Sequence, residues 1–168
     1  MHLQVTDWRL IVDKHGRAVW ETAYRLLGNQ ADAADCFQET FISALEVSKR
    51  QRVRSFSALL VRIATSRAID QLRERYRHSK HREEAVDLIL VPSRGPGPIE
   101  QVQVQELTGR LRKALSHLGP QEAQVFCMHC LNDMSYRQIA KGLGLQTSTV
   151  GVLLHRARRK LQDFLKVT

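Results

Sequence analysis

The sequence is poor in the residues that crosslink or interrupt a chain. Three cysteines, few and odd in number, exclude a disulfide framework and fit a reducing compartment. Of four prolines, all but one fall in VPSRGPGPIE, residues 91–100, so the remainder lacks the strongest breaker of regular structure. β-Branched alternation is absent, which argues against a sheet. Aromatics are only 6% of the residues, a thin supply for a single-strand stacking platform. No stretch approaches the roughly 18 apolar residues of a membrane span, and MHLQVTDWRL lacks the apolar core of a secretory signal. A protein without membrane insertion, resident in the cytoplasm, is expected. Acidic residues are also short, 17 against 26 Lys and Arg, and a net +9 calls for a polyanionic partner.

What is present is unevenly placed. Residues 1–46 hold four basic and seven acidic side chains, and residues 47–82 hold eleven and two. Residues 83–106 hold one and five, and residues 107–168 hold ten and three. Two basic blocks separated by acidic ones imply two nucleic-acid contacts and at least one surface meant for something else. Hydrophobic residues are 43% of the chain, enough for a packed core, and recur at three and four. The fold class expected is all-α: a helical domain over 1–82, a flexible linker over 83–102 and a second helical domain over 103–168.

In the first domain, the stretch after Gly28-Asn29 sets acids against apolar residues. At about 100° per residue, Asp32, Asp35, Glu39 and Glu46 share one face, while Ala34, Phe37, Phe41, Ala44 and Leu45 share the opposite one. A single-signed acidic face on a basic protein points to docking on a basic partner. The next helix, about 55–78, opens with an apolar stripe (Phe56, Leu59, Leu60, Ile63, Ala64) that loses its register after Ser66. Its other side gathers Arg62, Ser66, Arg73 and Arg77. With Arg50, Arg52 and Arg54 just before it, this is the density of cations expected of a phosphate-binding wall.

In the second domain, SYRQIAKGLGLQTSTVGVLLHRARR (135–159) has the spacing of a helix-turn-helix. Ser135 with Gln138 forms a capping box, Gly144 supplies a left-handed residue, and Leu145, Val150 and Leu153 fill the angle. The glycines of Gly142-Leu143-Gly144 are expected to make the corner. Thr147, Ser148 and Thr149 then stand at the start of the second helix, where side chains approach base edges, and Arg156, Arg158, Arg159 and Lys160 follow to hold the backbone.

These motifs resemble, in order, those of an RNA polymerase sigma factor of the sigma-70 family, extracytoplasmic-function (ECF) type. DAADCFQETFISAL (32–45) resembles the polymerase-binding helix of that family, SFSALLVRIATSRAIDQLRERYR (55–77) the helix that reads and opens the −10 element, and the segment from Leu118 onward the −35 module. The resemblance implies that Asp32, Asp35, Gln38, Glu39 and Glu46 meet the clamp helices of the polymerase β′ subunit. It places Arg50, Arg52, Arg54, Arg62, Ser66, Arg73 and Arg77 on the −10 strand, with a flipped base held by the loop at about 47–54. It places Thr147, Ser148, Thr149, His155, Arg156 and Arg159 on the −35 duplex, and the second domain also on the β flap. An anti-sigma factor is a further partner class it brings. Three departures stand out: Leu59 replaces the usual tryptophan, Ser66 stands where asparagine is frequent, and Thr149-Val150-Gly151-Val152-Leu153 replaces a run with two cations and a hydroxyl. A DNA-binding regulator acting without polymerase is the competing reading, and it leaves the acidic face unused.

Two other constellations are set aside. Cys127-Met128-His129-Cys130, with His117 nearby, falls short of four convergent zinc ligands and reads as buried core thiols. His78, His81, Glu83 and Glu84 occupy a solvated helix end with no nucleophile or phosphate loop. No metal, cofactor or catalytic residue is expected.

Overall fold

The computed structural model describes residues 6–79 and 98–167. Most of the expected linker, together with His81, Glu83 and Glu84, lies outside the described residues. Among them there are seven helices and no strand: α1 (Trp8–Leu27), α2 (Gln30–Arg50), α3 (Phe56–Ser79), α4 (Pro98–Leu115), α5 (Pro120–Cys130), α6 (Tyr136–Leu143) and α7 (Thr147–Val167). α4 starts inside the stretch expected to be linker, with Pro98 at its first position, where a missing N–H costs the helix nothing.

Local chemistry fixes the ends of these helices. Asp7 accepts hydrogen bonds from the Arg9 and Leu10 N–H groups to start α1, and Gly28, at φ 79°, ends it. Asn29 then accepts from the Asp32 N–H to start α2, so a left-handed glycine followed by a cap makes the reversal. α6 begins with the full Ser135/Gln138 capping box and ends at Gly144, at φ 67°.

α1, α2 and α3 pack together around Val19, Ala44, Leu59, Leu60 and Ala64. α5, α6 and α7 enclose Val125, Met128, Ile139, Ala140, Val150 and Leu154. A larger cluster crosses from one unit to the other: Ala23, Leu26, Leu27, Ala68, Ile69 and Leu72 meet Leu115, Leu118, Ala123, Cys127, Ala157 and Leu161. The two units are therefore packed on each other across α3, not held apart. That is why the stripe of α3 escapes a one-face reading: Leu59, Leu60 and Ala64 look to α1 and α2, while Ala58 and Val61 join the core of the helix-turn-helix.

Two details of the sequence reading are corrected. The buried line of α2 is Ala33, Cys36, Thr40 and Ala44, about a quarter turn from the expected apolar face, and Phe37 and Phe41 are only partly buried at its margin. Small residues take the centre because α2 lies close to its neighbours, where Thr40 Oγ1 can satisfy itself on the Cys36 carbonyl at 2.6 Å. Of the two glycines in Gly142-Leu143-Gly144, only Gly144 turns the chain. Gly142 is helical, and a Cβ built on it would stand 2.5 Å from the Ala58 Cβ, so its lack of a side chain is what lets α6 lie against α3.

Candidate nucleic-acid and protein-docking surfaces

On α2, Asp35, Gln38, Glu39 and Glu46 are exposed and Asp32 is half-buried. The face remains accessible, with part of its charge already paired. Arg75 donates to Asp32 Oδ2 at 3.0 Å and to the Leu27 carbonyl at 3.1 Å. Arg67 donates to Glu39 Oε2 at 2.8 Å and to Ser43 Oγ at 2.6 Å. Lys49 meets Glu46 at 3.0 Å. Asp35 and Gln38 have no such pairing among the described residues, and Ile42, 61% exposed, stands beside them. Sequence reasoning missed this apolar member because it falls outside the acid pattern.

The segment expected to hold a flipped base divides in two: residues 47–50 are the last turn of α2, and the non-helical part is 51–55. Arg50, Arg52 and Arg54 are exposed there, and Ser55 Oγ caps α3 by accepting from the Ala58 N–H at 3.2 Å. Arg52, Val53 and Arg54 line a cavity of about 430 Å³ with Lys141 of α6. Lys141 joins this cationic cluster through the packing of the two units, which no local signal could reveal. Leu59, at the usual tryptophan position, faces the core at 6% exposure.

Along α3 the expected contacts separate. Arg77 is exposed and Arg62 partly so. Ser66 and Arg73 are occupied by the other unit: Gln124 Nε2 donates to Ser66 Oγ at 2.8 Å, and Arg73 donates to the Ser116 carbonyl at 3.2 Å and to the Leu118 carbonyl. Arg73 thus satisfies carbonyls left over at the end of α4. Arg25 and Arg112 add to the junction, the first donating to the Leu131 carbonyl at 3.1 Å, the second to the Arg25 carbonyl at 3.1–3.2 Å.

α7 turns one face inward and one outward. Val150, Leu153, Leu154, Ala157 and Leu161 are buried, while Thr147, Ser148, Thr149, His155, Arg156 and Arg159 are all exposed. α7 is tied to α5 by Lys160, whose Nζ lies 2.8 and 3.0 Å from the two Glu122 carboxylate oxygens. Burial works to raise the pKa of Glu122, but the hydrogen bonds from Lys160 and the Gly119 N–H, with Arg156 nearby, outweigh it and hold the group below its ordinary value. Cys127 lies in the shared core, and burial, with Cys130 adding to it, pushes its thiol up to about 12; Cys130, expected to be a buried core thiol as well, is exposed.

Two parts of the chain match known families. Residues 11–78 match the family model for Sigma-70 region 2, and residues 108–161 match that for Sigma-70, region 4. The chain is 34% identical over 161 residues to the ECF RNA polymerase sigma factor SigE of Mycolicibacterium smegmatis, covering 95% of this chain and 62% of that one. It is 28% identical to SigW of Bacillus subtilis, another ECF RNA polymerase sigma factor, over 93% of this chain and 87% of the relative. Among solved structures, the fold is similar to the sigma factor RpoE in complex with the anti-sigma factor NepR from Bartonella quintana (TM-score 0.57, 22% identity, 97% and 99% coverage). It is likewise similar to CnrH in complex with the cytosolic domain of CnrY (TM-score 0.59, 23% identity, 96% and 91% coverage).

Proposed function

The chain belongs to the sigma-70 family, in its ECF branch, and from that premise we propose that it binds core RNA polymerase and directs it to promoters through −10 and −35 elements. The observation that carries this is the coexistence, in one chain, of an exposed acidic face on α2 with an exposed polar and cationic face on α7. A regulator working alone has use for only the second. In this reading Asp32, Asp35, Gln38, Glu39 and Glu46 dock on the β′ clamp helices, and residues 108–161 reach the β flap as well as duplex DNA. Arg50, Arg52, Arg54, Arg62, Ser66, Arg73 and Arg77 hold the −10 strand, and Thr147, Ser148, Thr149, His155, Arg156 and Arg159 read the −35 duplex. The protein acts in the cytoplasm and has no catalytic residue of its own, since melting proceeds by unstacking and strand capture.

This function requires the two units to part. While Gln124 holds Ser66 and the Ser116 and Leu118 carbonyls hold Arg73, a strand laid along α3 meets only some of its ligands. The 18 residues from 80 to 97 reach at most about 60 Å, close to two DNA turns of about 34 Å each. An anti-sigma factor, like those named in the two solved complexes, would act by holding the closed arrangement.

A pull-down against core polymerase tests the reading. The double substitution Asp35→Arg, Glu39→Arg changes exposed residues and is expected to abolish binding while the circular dichroism spectrum stays helical. Unchanged binding would refute the proposal. Transcription in vitro with mapped start sites then identifies the promoters.

A further inference from the structure

We infer that Val152 is a base-reading residue of α7, recognising the C5-methyl group of a thymine in the −35 element. The inference rests on the reading above, in which the outer face of α7 enters the major groove.

Burial fixes which way α7 faces. With Val150, Leu153, Leu154, Ala157 and Leu161 turned inward, a rotation of about 100° per residue places Ser148, Val152, His155 and Arg159 along the middle of the outward face. Val152 is 50% exposed, and among the described residues of α7 it is the one large apolar side chain that is. It stands one turn after Ser148, one turn before Arg156 and two turns before Arg159. Its position is therefore the centre of the surface that meets DNA, not its rim.

The chemistry of valine narrows what it can do there. It has no donor or acceptor, so it holds neither a phosphate nor the O6/N7 edge of guanine. In the major groove the apolar feature available to it is the thymine methyl. On a helix a β-branched side chain keeps essentially one χ1 rotamer, so its two methyl groups are already placed before binding. The neighbours leave room: Gly151 carries no side chain, and Leu153 is 8% exposed and turned into the core. Selection works in both directions. A thymine gains apolar contact, whereas a base presenting an amino or carbonyl group at that point loses water without gaining a hydrogen bond.

The test uses the full chain assembled with core polymerase. Duplexes are selected from a library randomised across the −35 region, and each thymine of the selected sequence is replaced in turn by deoxyuridine, which removes only the methyl group. One replacement is expected to weaken binding about fourfold, the factor for burying one methyl-sized group. In Val152→Ala, which touches no core contact and favours helix, the same replacement is expected to have no effect. The inference is overturned if the selected sequences contain no thymine in the window, if no position responds to deoxyuridine, or if Val152→Ala responds like the parent protein. In each of those cases the holoenzyme still selects DNA and the sigma reading stands. Failure to bind core polymerase, or to select any duplex, overturns both.

Discussion

α3 and α7 carry similar cationic loads, and more of those on α3 are already held by acceptors of the protein itself. On α3, Arg67 is held by Glu39 and Ser43, Arg73 by the Ser116 and Leu118 carbonyls, and Arg75 by Asp32 and the Leu27 carbonyl. On α7, Arg156, Arg158 and Arg159 stand in solvent. A cation is available to a phosphate only where no nearby carbonyl or carboxylate already holds it. That condition depends on packing: α3 lies at the centre of two units and finds acceptors on both sides, while α7 has one face against the core and one outside.

The contrast is most strongly broken at Leu72, fully buried where the two units meet. Leu72→Ala is expected to cost about 2–5 kcal/mol of folding stability, read by chemical denaturation. Next comes Gly142→Ala, which adds a methyl 2.5 Å from Ala58. Its loss is expected at about 1–3 kcal/mol from overpacking, against the better helix propensity of alanine, and a rise in stability would show that α6 and α3 separate freely. The pair Arg73→Ala and Arg156→Ala sharpens the difference between the helices. The first is expected to cost folding stability by about 1–3 kcal/mol, since it strips two carbonyls of a charged donor. The second is expected to leave stability within about 0.5 kcal/mol and to weaken promoter binding by about 1–3 kcal/mol if it reads a base, with a shallower salt dependence if it meets phosphate. Equal effects of the two on folding would erase the distinction.

The smallest effect concerns how α7 is held on its own unit. Glu122 has a depressed pKa in the folded protein, so its stabilising effect is complete above the ordinary value of 4.5 and is lost as pH falls through the lower folded value. The melting temperature of Glu122→Gln is expected to lie below that of the parent at neutral pH, and the gap to close on acidification below about pH 4. A gap independent of pH would assign the loss to packing.

What was legible in the sequence depended on how local each signal was. The caps of α6, its left-handed Gly144 and the inward pair Val150 and Leu153 are set within a few residues, and the exposed face of α7 follows from them. The acids of α2 were legible as a face for the same reason. The buried line of α2 was not, because Cys36 and Thr40 are small and only become core when α3 comes within reach. Lys141 joining Arg52 and Arg54, Gly142 meeting Ala58 and Arg73 capping α4 all arise from the packing of one unit on the other, between residues dozens of positions apart. The start of α4 at Pro98 was hidden by the prolines and glycines just before it, which read as punctuation without showing where the punctuation ends.

The shared apolar core across α3 has one more consequence. Pulling the units apart uncovers Ala58 and Val61 on one side and Leu118 and Ala123 on the other, side chains that water tolerates poorly when they lie together. An open molecule alone in solution would close again or stick to its neighbours. Opening is therefore a task shared with whatever large surface takes up the exposed patches, so that the act of joining the enzyme and the act of releasing the DNA-reading faces become the same event.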